Sequence, residues 1–151
     1  MNQKDIRIEF NKALTTGLLN RWYPLVIDDE CGGYFTNVTS DWRLPENQEK
    51  MIVTQARHVW TLSKAAGFFD KGNEYERMAM HGYNFLTHHL WDQEYGRFYQ
   101  IRNRRGGMSE VRGWRDEKRA YGNAYGVYAL AALYHQTGNP RVLEFAQQAF
   151  R

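Results

Sequence analysis

Asp28-Asp29-Glu30-Cys31-Gly32-Gly33-Tyr34-Phe35 returns 64 residues later as Asp92-Gln93-Glu94-Tyr95-Gly96-Arg97-Phe98-Tyr99, and the reading of that recurrence decides the fold. Each copy opens on an aspartate, turns on glycine and closes on two aromatic residues. Aspartate nucleates turns by accepting from nearby backbone amides, and glycine supplies a positive φ without steric cost. Outward from the pair, Gln55-Ala56 recurs as Asn123-Ala124, 68 residues on, and Gly72-Asn73 as Gly138-Asn139, 66 residues on. The repeating unit is therefore a short ribbon, an apolar helix, a tight Gly-Asn turn and an outer amphipathic helix. A helix pair of this kind leaves a face of its inner member open. It needs neighbours, in a stacked solenoid or a closed ring of hairpins.

The helical periodicities fill in the unit. Ile6, Phe10, Leu14, Leu18 and Trp22 recur every four residues, a spacing that predicts one packed face on a first helix. Pro24 ends that helix, because the residue before a proline is steered out of the α region. A second helix, from Gln48 to about Phe69, is apolar nearly all round, with Met51, Ile52, Val53, Ala56, Val59, Trp60, Leu62, Ala65 and Ala66. Such a helix is an interior one. Lys71-Gly72-Asn73 forms a turn with Asn73 as the expected N-cap. The third helix, Glu74 to Leu90, is one-sided. A second ribbon runs from Trp91 to Ile101, followed by a basic loop to about Glu117 and a fourth helix to His135. Gly138-Asn139-Pro140 repeats the turn, with Asn139 as cap and Pro140 as first helical residue of the fifth helix. The expectation is an all-α chain of (α/α) hairpin repeats with small β-ribbons. It forms a single incomplete domain over residues 1–151, an amino-terminal piece of a larger architecture. A complete small helical domain is the alternative.

Composition narrows the function classes. Lys and Arg number 20 against 17 Asp and Glu, a net charge of +3 in 151 residues, too mild an excess to imply nucleic acid. One cysteine, Cys31, excludes an intrachain disulfide framework and fits a reducing compartment. The N-terminal residues lack an apolar signal core, and no apolar run reaches membrane-spanning length. A cytoplasmic protein without membrane or nucleic-acid partners is expected. Aromatic residues make up 15% of the chain, and flat rings stack on sugar faces as readily as they fill cores.

Arg57, in Thr54-Gln55-Ala56-Arg57-His58-Val59-Trp60, stands inside the apolar helix. An always-charged guanidinium there requires either a wet pocket or a carboxylate partner such as Glu49 or Asp116. Both readings stand. His58 projects about 100° from Arg57 on a helix, which places the two at different sites. No histidine pair has metal-ligand spacing, so no metal or cofactor is expected, and no nucleophile elbow, P-loop or dinucleotide fingerprint is present. Asp28, Asp29, Glu30, Asp92 and Glu94 could furnish the carboxylate pair of a glycoside hydrolase, but their recurrence in both ribbons favours turn formation. The arginine-rich stretch from Arg102 to Arg119, broken by three glycines and by Glu110, Asp116 and Glu117, reads as a solvated pocket-rim loop.

Three stretches carry a resemblance. Arg21-Trp22-Tyr23-Pro24-Leu25 running into the first ribbon, Lys50-Met51-Ile52-Val53-Thr54-Gln55-Ala56-Arg57-His58-Val59-Trp60, and Lys118-Arg119-Ala120-Tyr121-Gly122-Asn123-Ala124-Tyr125-Gly126-Val127-Tyr128-Ala129-Leu130 together resemble the N-acylglucosamine 2-epimerase superfamily. That superfamily includes cellobiose 2-epimerases and aldose–ketose isomerases. The resemblance implies an (α/α)6 barrel of which this chain is an amino-terminal portion. It implies proton transfer at C2 of a ring-opened mono- or disaccharide through an enediolate. Arg57 would stabilise the enediolate and substrate oxygens, while Tyr121 and Trp60 would bind substrate. The family's catalytic histidines match none of the five here, so this piece is expected to be inactive by itself. It is also expected to associate with itself through exposed inner helices. A non-catalytic carbohydrate-binding or interaction module and a glycoside hydrolase on the same barrel are the alternatives.

Overall fold

The computed structural model describes residues 2–69, 72–114 and 116–151. Helix α1 (Gln3–Lys12) widens into a π-helical turn at Ala13–Leu19 and continues as α2 (Asn20–Leu25). After the first ribbon come strand β1 (Lys50–Met51), helix α3 (Ile52–Phe68) and helix α4 (Gly72–Phe85), which ends in a second π turn, Leu86–Leu90. The second ribbon leads to strand β2 (Ile101–Arg102), helix α5 (Ala120–Thr137) and helix α6 (Pro140–Phe150). The inner helices α3 and α5 lie against each other, α4 backs α3, and α6 backs α5. The close approach of α3 and α5 needs Gly122, where a Cβ would sit 2.5 Å from Ile52 Cγ2. Asn139 caps α6 by accepting from Arg141 N, and Pro140 opens it.

The recurrence seen in the sequence is a recurrence of hydrogen bonds. Asp28 N donates to Gly33 O as Asp92 N donates to Arg97 O, and Phe35 N donates to Val26 O as Tyr99 N donates to Leu90 O. Each ribbon is then clipped by the amide side chain of its inner helix. Gln55 accepts from Tyr34 N at 2.8 Å and donates to Tyr34 O at 2.7 Å. Asn123 does the same for Phe98 N and O. A lysine before each inner helix reaches back to the turn. Lys50 donates to Asp28 and Gly32 O, while Lys118 donates to Asp92 and Gly96 O. The antiparallel pairing of Lys50 with Arg102 and Met51 with Ile101 joins the two units. The turn that uses Gly33 (φ 67°) in the first copy uses Arg97 (φ 73°) in the second. Glycine is required at 33, since a Cβ would come within 2.6 Å of Gln55 Oε1 and 2.8 Å of the Phe85 ring. Because Tyr34 is fully buried, Gln55→Ala strands its N–H and C=O without partners. It is expected to cost about 2 kcal/mol in urea unfolding. An unchanged midpoint would refute the clip.

Three expectations are corrected. The stripe Ile6, Phe10, Leu14 and Leu18 is exposed, with Phe10 72% accessible: no residue of α1 is buried, its main contacts are with the π turn that follows it, and that turn, which carries Leu14 and Leu18, breaks the α-helical row that the four-residue spacing predicts. Asn73 lies inside α4, which already begins at Gly72, while Lys71 of that turn falls outside the described residues. The arginine-rich stretch is organised. Arg104 pairs with Asp28 and Glu30 across the two units, and Arg119 pairs with Glu117 over the Trp114 ring. Asn103 Oδ1 gathers the amides of Arg105 and Gly107. Opposite charges supplied by the first ribbon turn a repelling run into a strap.

Candidate functional site

The face of α3 that is not packed on α4 carries Thr54, Arg57, His58 and Thr61, spaced i, i+3, i+4 and i+7, so all four line one strip. Leu18, Leu19, Trp22 and Tyr23 stand opposite, and the two walls enclose a cleft of about 330 Å³. That size lies at the small end of the range for small-molecule sites. Arg57 is exposed and has no hydrogen-bond or ion-pair partner among the described residues. Neither Glu49 nor Asp116 pairs with it, so of its two readings the ion pair is not the one realised.

His58 also lines the cleft, against the expectation that it and Arg57 belong to different sites. A wide concavity accommodates side chains 100° apart on one helix. The ring is fixed on several sides. Tyr23 Oη lies 2.8 Å from Nδ1, Trp22 stacks over the ring at 6.2 Å, and Tyr34 packs against it at 4.6 Å. Burial, reinforced by the neighbouring Arg57 charge, lowers its pKa from 6.5 to about 4. It is therefore neutral at ordinary pH and a poor proton acceptor. The other histidines stand elsewhere. His81 contacts Gly33 O, His88 contacts Asn84 O, and His89 packs on Phe85.

Beyond Arg57 the surface continues onto α5. Tyr121 is 63% exposed, and its hydroxyl lies 3.4 Å from Tyr125 Oη. That hydrogen bond raises the Tyr121 pKa, and the Arg57 charge, close enough to be felt, opposes the rise. Trp60 stacks on Tyr128 at 5.3 Å with 17° between planes, so one of its faces is already occupied from α5. Arg57 and Tyr121 thus share one open face, with Trp60 a turn further along α3. Thr54, Thr61 and Tyr125 were not anticipated from sequence, although the spacing of 54, 57, 58 and 61 along α3 was available to find the threonines.

The aspartates that open the two ribbons are committed to structure. Asp28 is fully buried between Lys50 and Arg104. Burial alone would raise its pKa, but hydrogen bonds from Arg104 and Lys50 outweigh it and bring the value down to about 2. Asp92 is likewise held low by Lys118, against partial burial, with Tyr99 donating as well. Among the described residues no three His, Cys, Asp or Glu converge as a metal site, and no helix is long and apolar enough to cross a membrane.

Residues 33–151 match the family model described as N-acylglucosamine 2-epimerase. The chain is 30% identical to a cellobiose 2-epimerase of Bacteroides fragilis over 96% of its own length and 36% of that protein. It is similar to the solved structure of cellobiose 2-epimerase from Bacillus thermoamylovorans, with a TM-score of 0.88 and 32% identity, over 98% of this chain and 36% of that one. A D-mannose isomerase structure matches with a TM-score of 0.77 at 18% identity and speaks for the fold alone. The chain thus spans about a third of the length of the relatives it matches.

Proposed function

Because this chain belongs to the N-acylglucosamine 2-epimerase family and carries α/α hairpins of an (α/α)6 barrel, we propose that it supplies the arginine-bearing wall of a site for a ring-opened mono- or disaccharide. The chemistry is proton transfer at C2. A base removes the C2 proton, the electron pair forms the C1=C2 bond, and the C1 carbonyl oxygen takes up the negative charge as an enediolate. Return of a proton to the opposite face of C2 gives an epimer, and return to C1 gives a ketose. Arg57 is suited to the oxygen that becomes negative, because a preorganised cation in a partly enclosed site stabilises charge that develops only during the reaction. Tyr121 would bind substrate hydroxyls beside it, and Trp60 would offer its ring edge to the sugar.

The observation that carries this reading is an exposed Arg57 guanidinium on the shared face of α3 and α5 with no carboxylate partner among the described residues. The proton-transfer base does not come from these residues. His58, the histidine in the Arg57 cleft, is neutral, bound to Tyr23 and depressed to about 4. The commitment of Asp28 and Asp92 to lysines speaks against a glycosidase using the ribbon carboxylates.

Two measurements test the reading. Cellobiose, mannose and N-acetylmannosamine, titrated separately, are expected to perturb Trp and Tyr fluorescence. Arg57→Ala should weaken the binding about tenfold or more, as loss of a charged hydrogen-bonding partner does, and Arg57→Lys should restore part of it. In deuterated water the chain alone is expected to incorporate no C2 deuterium. Binding that survives Arg57→Ala, or C2 exchange by the chain alone, would overturn the assignment.

A further inference from the structure

We propose that His58 is a second substrate-contacting residue of the Arg57 cleft: with Nδ1 held by Tyr23, its Nε2–H is presented as a hydrogen-bond donor to a sugar oxygen next to the one that Arg57 holds. The inference rests on the reading of this cleft as a sugar site, and it gives a task to a residue that the proton-transfer chemistry leaves unused. The ring proton is placed by the partners of Tyr23. That hydroxyl lies 2.8 Å from His58 Nδ1, the residue is 5% exposed, and burial pushes its pKa up, which keeps it a donor. It has no second acceptor among the described residues. A proton on Nδ1 would point at Tyr23 Oη and leave the tyrosine's own hydrogen buried without an acceptor, a penalty that the other tautomer avoids. Tyr23 therefore donates to Nδ1, and the proton of the uncharged ring sits on Nε2.

The surroundings hold the ring in that orientation. Trp22 stacks on it at 6.2 Å, Tyr34 packs at 4.6 Å, and the Tyr23 ring meets it edge-on at 5.7 Å, contacts that oppose the rotation exchanging its two nitrogens. Nε2 has no protein acceptor among the described residues and is not occluded by them, and the Arg57 cleft is a cavity that His58 borders. Leu18, Leu19 and Trp22 make the facing wall apolar, so an oxygen that enters gives up water for a short list of donors. A second cation there would repel the Arg57 guanidinium. The uncharged ring, favoured by burial and by the Arg57 charge itself, adds a directional donor without that repulsion. Arg57 then serves the oxygen that gains charge, and His58 selects a neighbouring oxygen by its position.

Long-range proton–nitrogen NMR on the isotope-labelled whole chain reads the tautomer directly, with the His58 ring assigned by its loss in His58→Gln. Before any sugar is added, Nε2 is expected to carry the proton, and Tyr23→Phe should let the Nδ1–H form appear. Titration with cellobiose and with mannose should shift the Nε2 proton. His58→Phe should weaken sugar binding about fivefold, the effect of one neutral hydrogen bond, and His58→Gln, whose amide nitrogen reaches a similar position, should recover part of it. His58→Phe also strands the Tyr23 hydroxyl, so the Tyr23→Phe, His58→Phe double variant should show the same loss of binding with no buried group left unpaired. A proton on Nδ1 in the wild type would overturn the inference. Arg57-dependent sugar binding that leaves the Nε2 proton unmoved, or that is undiminished in His58→Phe, would overturn it while leaving the Arg57 reading in place. Absence of any Arg57-dependent binding would overturn both.

Discussion

Asp28→Ala is expected to destabilise the chain by about 3–5 kcal/mol, the range for removing one member of a buried ion pair. The reason lies in what remains. Lys50 is fully buried together with Asp28, and its other anchors are Gly32 O and the face of Phe85. Without the carboxylate, the ammonium has no compensating charge and no route to water. Asp92→Ala offers the matched control. It removes the equivalent carboxylate of the second ribbon, but Lys118 keeps about a fifth of its side chain in solvent and can rehydrate. Its loss should therefore be less than half as large. Equal losses at the two positions would refute burial as the cause of the difference.

His58 and Asp28 together give the pH dependence a definite shape. His58 has a folded pKa of about 4 against 6.5 unfolded, so the unfolded chain binds the extra proton first, and stability declines as pH falls from about 6.5 to about 4. The folded Asp28 value of about 2 lies below its ordinary 3.8. Its contribution is complete above the unfolded value and is lost as pH falls from about 4 toward 2. Denaturant midpoints measured across pH 2–8 should show both declines, with the lower one weakened in Asp28→Ala.

Gly82→Ala is expected to cost about 3 kcal/mol despite the better helix propensity of alanine. A Cβ at this position of α4 would overlap the hydroxyl and ring of Tyr34, which is fully buried. Overpacking a filled core typically costs 1–3 kcal/mol. Here displacement of the ring adds the loss of the 2.7 Å hydrogen bond that Tyr34 Oη donates to Met78 O, and it disturbs the packing of Tyr34 on His58. The thermal midpoint should fall, and a Gly82→Ala, Tyr34→Phe double variant should recover part of the loss by removing the clashing oxygen. No recovery would locate the cost in the ring alone, and no loss in the single variant would show that the ring moves freely.

The hairpin unit was legible in the chain because both of its determinants are local. The ribbon turn is written in Asp and Gly within a few residues, and the apolar period of the inner helices is a property of consecutive turns. The Asn139 cap and Pro140 start were legible for the same reason. Gln55 and Asn123 were visible as markers of the repeat, but not as clips, since their partners are the backbones of Tyr34 and Phe98, 21 and 25 residues away. Lys50 and Lys118 fell inside recognised stretches without disclosing their aspartates. At the candidate site, Arg57 could be singled out because a charge inside an apolar helix is anomalous by itself.

What the chain alone determined is therefore periodic and local: the repeat, the ribbons, the order of helices, and the arginine that breaks an apolar pattern. Tertiary structure decided the rest. It left Arg57 without a carboxylate partner among the described residues and brought His58 into the same cleft under Trp22 and Tyr23. It also left the most regular stripe in the sequence uncovered. A four-residue period specifies that a face is apolar, but burial is a relation between two surfaces, and only the folded arrangement says whether the second surface is there.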